Sequence, residues 1–233
     1  MKKRFLSLML TITLVALFSL PASADSFDNT VVQHTEYTVE TDKNALLTKA
    51  IQESLSKQTR ASSPSDDEIK TTQKESTTVY SDGTVIETYR GDAFLLVHNN
   101  QKVTAGELAE HSDSIQDGYL NCYASVTVYW QHEFDGHMGG RKINRVYVTP
   151  NNYGGNRITS MRYGIIGRDE WSDPNPLEIT TTVSDPSSGV TLSRYNYTDR
   201  YFSGGSSTTS AGADEFYVNG SYIYGFSAIY TVI

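Results

Sequence analysis

Alternating apolar and polar side chains dominate the chain beyond residue 69. In segment 121–133, apolar residues such as Val126 alternate with residues such as Tyr129 on the opposite face. This period of two predicts a β-strand with one face in a hydrophobic core. In the following segment, Ile143 is out of phase with Val146, which indicates a β-bulge.

Further segments with the same period are separated by turn residues. One turn, Ser81-Asp82-Gly83, lies between two alternating runs and is typical of a β-hairpin. The other predicted strands are 93–98, 142–149, 158–166, 177–183, 190–201, 215–218 and 221–232. Short strands at regular spacing predict an antiparallel β-sandwich over residues 69–233, with a jelly-roll or an immunoglobulin-like topology as equal alternatives.

The period changes to that of a helix near the N-terminus. Within residues 43–57, Leu47, Ala50 and Leu55 fall on one helical face, and Asp42 or Asn44 is a suitable N-cap. Residues 59–68 are rich in Ser and acidic side chains and resemble a linker. We therefore expect residues 25–68 to form a helical segment and linker, either docked on the β-domain or removed as a pro-segment.

A second, shorter helix is predicted at residues 104–111. Thr104 and Glu107 have the spacing of a capping box, in which each side chain accepts a hydrogen bond from the other residue's backbone N–H.

The first 24 residues have the pattern of a secretory signal peptide. Lys2, Lys3 and Arg4 precede an apolar run over residues 5–20, and a small-residue cleavage site ends at Ala24. Cys122 is the single cysteine, so no intrachain disulfide can form. Both features indicate a bacterial protein that is secreted after cleavage behind Ala24.

The net charge argues against several classes of protein. The 233 residues carry a formal charge of −8, and removal of the signal peptide takes away three basic and no acidic residues, leaving 16 basic and 27 acidic ones. Export combined with this acidity argues against a cytosolic enzyme, a polytopic membrane protein and a nucleic-acid binder.

Positive charge is concentrated in residues 136–168, which contain no acidic residue. The arginines of interest there are Arg141, Arg145, Arg157 and Arg162. On neighbouring strands they would form a cationic stripe able to bind anionic cell-envelope polymers or lipid head groups at a membrane surface. The alternative is that the acidic N-terminal region covers the stripe.

Two loops carry groups that could ligate a cation. His132, Glu133, Asp135 and His137 offer nitrogen and oxygen donors for zinc, but the histidines are five residues apart and not four as on a zinc-binding helix. Carboxylates in residues 168–176 could instead bind calcium. The alternative is that His132 continues the inner face of its strand and that both loops are solvated turns. We predict no cofactor, with zinc and calcium as open alternatives.

Aromatic side chains are the remaining candidates for ligand contact. Trp171 lies at the centre of a polar loop, where it could stack on a pyranose ring or fold back onto the domain. Tyr197 and Tyr201 belong to a C-terminal region rich in tyrosine, serine and glycine, a composition typical of binding surfaces.

These patterns predict a non-catalytic extracellular binding protein with a cell-wall or host glycan as ligand. No residue is assigned a catalytic role. A membrane-active toxin or bacteriocin-like protein is the first alternative, because a hairpin within residues 197–224 would be long enough to cross a membrane. A secreted hydrolase is the second, and no pattern specifies the oligomeric state.

Overall fold

The computed structural model describes residues 30–58, 69–109, 120, 122–135, 139–168, 175–203, 208–224 and 228–232. In chain order the elements are β1 (Val31–Glu36), α1 (Lys43–Gln58), β2 (Ile69–Tyr80), β3 (Val85–His98), β4 (Gln101–Lys102), α2 (Ala105–Ala109), β5 (Cys122–Phe134), β6 (Gly139–Asn152), β7 (Ile158–Arg168), β8 (Leu177–Ser184), β9 (Leu192–Tyr195), β10 (Phe202–Ser203), β11 (Thr208–Val218), β12 (Ser221–Tyr224) and β13 (Ala228–Val232). The fold is mainly β, as the alternation predicts.

The strands form two antiparallel sheets. Sheet A has the order β1-β2-β3-β5-β6-β10, with β4 paired to β3 and β9 paired to β6. Sheet B has the order β12-β11-β7-β8, with β13 paired to β11. The chain passes from sheet A to sheet B after β6, returns after β8 and passes over again after β10.

Two sequence signals in sheet A are confirmed in detail. β2 and β3 form the predicted hairpin, in which Gly83 has a φ of 90° and the Asp82 carboxylate accepts a hydrogen bond from the Thr84 N–H at 2.8 Å. The predicted bulge lies in β6, because Trp130 of β5 pairs with Ile143 whereas Tyr129 pairs with Arg145. Asn144 is therefore the extra residue on β6.

One hydrophobic cluster draws on both sheets. Val126 and Ile143 of sheet A and Met161, Ile165 and Phe216 of sheet B are fully buried in it. Cys122 belongs to the same cluster, and burial raises the pKa of its thiol to about 12, as expected for a structural cysteine.

Polar contacts also join the two sheets. The Arg194 guanidinium of β9 donates to the Thr181 hydroxyl of β8, and the Tyr163 hydroxyl of β7 donates to the carbonyl oxygen of Ser193 at 3.4 Å. Hydrogen bonds between the two sheets thus add to the apolar contacts of the shared core.

The helices cover part of the opposite face of sheet A. Leu46, Leu47 and Ala50 of α1 are buried against Phe94 and Leu96 of β3, in a second cluster that also includes residues of α2. Asp42 is the N-cap of α1, since its carboxylate accepts hydrogen bonds from the backbone N–H groups of residues 44 and 45 at 3.1 and 2.9 Å.

The predicted capping box begins α2. The Glu107 carboxylate accepts a hydrogen bond from the Thr104 N–H at 2.8 Å, and the Thr104 hydroxyl accepts one from the Glu107 N–H at 3.3 Å. The Thr104 hydroxyl also donates to the Glu107 carboxylate at 2.9 Å. The two hydrogen bonds that the carboxylate accepts from Thr104 favour its charged form and lower the pKa of Glu107.

The structure corrects the predicted strands at two places, with one strand that was missed and one that was too long. Val31–Glu36 forms strand β1 at the edge of sheet A, although its polar sequence gave no alternation. The strand predicted at 190–201 ends as β9 at Tyr195, because Asn196 turns the chain by accepting the Thr198 N–H. Within the predicted final strand the described residues form β12 and β13, which pair successively along the same edge of β11.

Gly164 allows β7 and β8 to approach closely. A Cβ atom at this position would lie 2.1 Å from the Ile179 carbonyl oxygen and 2.6 Å from the Thr180 Cα atom. Because both are backbone atoms of the paired strand, neither can move without separating the strands.

We expect Gly164→Ala to destabilise the protein by about 2–3 kcal/mol, the typical effect of forcing an extra atom into a packed interior. The measurement is equilibrium denaturant unfolding. Gly106→Ala in α2 is the control, because its Cβ atom would meet only the Thr104 hydroxyl oxygen, at 3.9 Å. Equal stabilities for the two variants would show that the β7–β8 contact is looser than described.

Candidate functional site

A groove of about 380 Å³ opens on the face of sheet A that points away from sheet B. We call it the tyrosine groove. Its lining residues are Glu75, Thr88, Tyr89, Tyr129, Trp130, Asn144, Arg145, Tyr195, Asn196 and Tyr197. Strand alternation places Tyr129 and Arg145 in the lining, because they point outward while their neighbours Val128 and Val146 point into the shared core. Trp130 and Tyr89 also border the groove, although Trp130 belongs to the shared core and Tyr89 packs against it.

Four tyrosines form a ladder across this face. Tyr129 packs edge-to-face on Tyr147 at 5.9 Å between ring centroids, and Tyr147 packs likewise on Tyr195 at 6.0 Å. Tyr195 stacks on Tyr197 at 5.8 Å with an interplanar angle of 21°. The hydroxyl oxygens of Tyr147 and Tyr195 are 3.0 Å apart, which joins β6 to β9. Tyr197 ends the ladder with 87% of its surface exposed.

Asn196 attaches the tyrosine-bearing segment to the bulge of β6. Its side-chain NH₂ donates to the Ile143 carbonyl oxygen at 3.0 Å, and its backbone N–H donates to the Asn144 carbonyl oxygen at 2.8 Å. Its side-chain oxygen accepts hydrogen bonds from the Thr198 N–H and hydroxyl at 3.0 and 2.7 Å. Asn196 is only 6% exposed. It therefore holds Tyr195 and Tyr197 beside the groove.

Arg145 supplies the positive charge of the groove. Its guanidinium carbon lies 4.0 Å from the Tyr129 ring centroid and 5.6 Å from that of Tyr147. A cation this close to aromatic faces is stabilised by their negative electrostatic potential. In the part of the chain that the structure describes, no carboxylate lies within ion-pair distance of Arg145.

The neighbouring cation is already neutralised. The Arg90 guanidinium donates two hydrogen bonds to the Asp92 carboxylate, at 2.8 and 2.9 Å, and Asp92 also accepts one from the Thr127 hydroxyl at 2.7 Å. Because Asp92 neutralises Arg90, the formal positive charge at the groove comes from its lining residue Arg145.

Glu75 supplies the negative charge of the groove. It occupies an irregularity in β2, where the register shifts between Lys74 and Ser76. Burial raises the pKa of Glu75, while the positive charges of Arg145 and Arg90 act to lower it. The carboxylate is therefore held in an environment that disfavours its charged form.

Comparison of the chain with protein-family models, with curated proteins and with solved structures found no significant match. The site therefore has to be interpreted from its own geometry.

The structure divides the predicted arginine stripe between the two sheets. Arg145 lines the groove, and Arg141 lies further along β6, paired with Phe202 of β10. Arg157 forms an ion pair with Asp185 at 2.5 Å, and Arg162 approaches Glu215 at 3.6 Å, both on the side of sheet B.

The predicted aromatic contacts have different locations. Tyr197 lies at the groove, whereas the Tyr201 hydroxyl donates to the Gln131 side-chain oxygen at 3.3 Å. Burial raises the pKa of Tyr201 to about 12. Trp171 and most of the predicted calcium loop lie outside the described residues.

The predicted zinc ligands are only partly described. His132 and Glu133 are consecutive residues of β5, so their side chains leave opposite faces of sheet A. Burial and the charge of Arg141 lower the pKa of His132. His137 lies outside the described residues, and among those described no cluster of three His, Cys, Asp or Glu side chains is close enough to hold a metal ion.

Neither of the helices described here has the length and apolarity of a membrane-spanning helix.

Among the other lining residues, Tyr195 belongs to the tyrosine-rich C-terminal region noted in the sequence, whereas Tyr129 and Glu75 were not predicted to contact a ligand. Tyr129 and Tyr195 had a usable signal, since each alternates with a strand residue that points inward. Glu75 had none, because its position depends on a register shift that the polar sequence of β2 does not reveal.

The raised pKa of Glu75 has a consequence for stability. A carboxyl group with a raised pKa in the folded state adds stability at low pH, and this contribution is lost as the pH rises through the folded-state pKa. We therefore expect Glu75→Gln to raise the Tm at about pH 7 and to have no effect below about pH 4, where the native carboxyl group is itself protonated.

Thermal unfolding at both pH values measures this difference. Glu178→Gln on β8, where the carboxylate is exposed, is the control and should leave the Tm unchanged. A lower Tm for Glu75→Gln at neutral pH would mean that an ion pair stabilises the charged carboxylate.

Proposed function

We propose that this chain is a non-catalytic, extracellular saccharide-binding protein and that the tyrosine groove is its binding site. The observation that carries the proposal is the exposure of Tyr197, which is 87% exposed yet stacked on Tyr195 at the edge of a groove of about 380 Å³. An exposed aromatic pair beside a concave surface is typical of a binding site.

The chemistry of the lining fits a sugar. The faces of Tyr129, Tyr195 and Tyr197 are flat apolar surfaces that suit the C–H face of a pyranose ring, and their hydroxyl groups can exchange hydrogen bonds with sugar hydroxyls. Asn144 and Arg145 add polar groups to the same surface. A cavity of this size lies at the small end of the range for ligand sites, which suits a short stretch of a glycan.

The hydrogen bonds that Asp92 already accepts support sugar binding over sugar hydrolysis. Glycoside hydrolases commonly need two carboxyl groups on either side of the bond to be cleaved. Glu75 lines the groove, but the nearby Asp92 carboxylate is occupied by Arg90 and Thr127. The groove is thus better suited to hold a sugar than to cleave one.

The finer architecture belongs to the same proposal. We infer that sheets A and B stack as a β-sandwich, supported by the hydrophobic cluster that they share and by the contact of Arg194 with Thr181. Jelly-roll and immunoglobulin-like connections both remain alternatives.

We further propose that residues 1–24 direct export from a bacterial cell and that the following segment stays with the folded body. The pairing of β1 with β2 and the burial of Leu46 and Leu47 support retention over removal as a pro-segment. A cell-wall or host glycan is the ligand expected outside the cell.

We expect Tyr197→Ala to weaken retention by about tenfold on whichever insoluble polysaccharide or cell wall retains the unmodified protein. The reason is that the loss of a stacked aromatic contact costs about 1–1.5 kcal/mol. Retention is measured by affinity electrophoresis or pull-down over a panel of polysaccharides. Tyr197 is exposed, so the Tm of the variant should not change.

Tyr222→Ala is the matched control, because Tyr222 is 56% exposed but lies on β12 of sheet B. Equal retention of both variants and the unmodified protein would remove the groove as the site, and Trp171→Ala would then be the next variant. Absence of retention on every polysaccharide, combined with dye release from anionic liposomes, would favour the membrane-active alternative.

A further inference from the structure

Arg145 is equipped to bind an anion. Its guanidinium is held over the Tyr129 ring at 4.0 Å, and it makes neither an ion pair nor a side-chain hydrogen bond with any residue that the structure describes. A guanidinium has five N–H donors in a fixed plane, which match the oxygen atoms of a carboxylate or a phosphate. These donors are therefore available to a ligand in the groove.

Glu75 lines the same groove without an ion pair to Arg145 within the described residues. The two side chains interact only through space, and the charge of Arg145 helps to keep Glu75 ionised against the effect of burial. An anionic ligand bound to Arg145 would neutralise the charge that favours ionisation of Glu75. The ligand would also repel the Glu75 carboxylate directly. Protonation of Glu75 removes the repulsion and creates an O–H donor.

We propose that the ligand of the tyrosine groove is an acidic saccharide whose carboxylate or phosphate oxygens are bound by Arg145, and that Glu75 takes up a proton when this ligand binds. The inference rests on the proposed function and specifies the ligand class of the same site.

Charged and titratable groups surround Glu75 on several strands. They are Arg90 and Asp92 of β3, Tyr129 of β5, Arg145 of β6, Tyr195 of β9, and His34, Glu36 and Tyr37 at β1. Arg90 and Asp92 neutralise each other. His34 hydrogen-bonds to Thr78, three residues along β2 from Glu75, and is the control position for the pH experiment below.

The first test compares ligands that differ only in charge. The probes are an oligogalacturonate, its methyl ester as the neutral match, and a phosphorylated oligosaccharide as the phosphate source. By calorimetry at about pH 6 we expect at least one anionic probe to bind about ten- to hundredfold more tightly than the ester, the usual effect of hydrogen bonds to a charged group. Whichever probe binds identifies the anion.

The second test changes the protein. Arg145→Gln should weaken binding of the anionic probe by about tenfold or more, and Arg145→Lys should restore part of it, because lysine retains the charge but not the planar pair of donors. Arg157→Gln outside the groove is the matched control and should bind as the unmodified protein does. Far-UV circular dichroism and the Tm of each variant establish that it is folded.

The third test measures the proton. Affinity of the unmodified protein should rise as the pH falls from about 7 to about 5, and calorimetry in buffers of different ionisation enthalpy should show proton uptake. Glu75→Gln should bind more tightly at about pH 7 and lose this pH dependence, because a glutamine cannot titrate. His34→Gln should retain it.

The outcomes separate the two proposals. Binding that depends on Tyr197 but is equal for the acid and its ester, with no effect of Arg145→Gln, would overturn the acidic ligand and leave the saccharide site standing. Affinity that does not change with pH, or the same pH dependence in Glu75→Gln, would overturn the role of Glu75. Absence of binding to every saccharide would overturn both proposals.

Discussion

The hydrogen bond from the Asn196 side chain to the Ile143 carbonyl oxygen joins the tyrosine-bearing segment after β9 to the bulge of β6. Ile143 begins the bulge of β6, where one extra residue lets Ile143 and Val146 both point into the core while the residues between them point outward. A buried carbonyl at a bulge needs a donor that the regular ladder does not supply. Asn196 supplies it, and the same residue positions the tyrosines on either side of it.

The two faces of sheet A consequently contact different parts of the molecule. One face contributes Val126, Val128 and Trp130 to the core shared with sheet B. The other face is covered by α1 and α2 at one end and carries the tyrosine groove further along. Both charged groove residues depend on irregular backbone, since Glu75 lies at a register shift in β2 and Arg145 follows the bulge of β6. Irregular pairing is thus what brings a cation and a carboxyl group to an otherwise regular sheet.

Local patterns predict much of this fold. The alternation in β5, the turn at Gly83, the helix capped by Asp42 and the capping box at Thr104 all depend on residues close in sequence, and each is present. The groove is only partly predictable, because it joins β2, β5, β6 and the segment after β9, which are distant in the chain. Arg145 and Tyr197 were recognised by residue type, but Glu75 was not. β1 was missed because an edge strand with one partner needs little apolar alternation.

The most direct test is the saccharide retention of Asn196→Ala, measured well below its Tm. The substitution leaves every tyrosine and charge of the groove in place but removes the donor to the Ile143 carbonyl. We expect a stability loss of about 1–3 kcal/mol, together with a loss of retention comparable to that of removing the Tyr197 ring. Retention at the level of the unmodified protein would contradict it, because the tyrosines would then be positioned without this hydrogen bond.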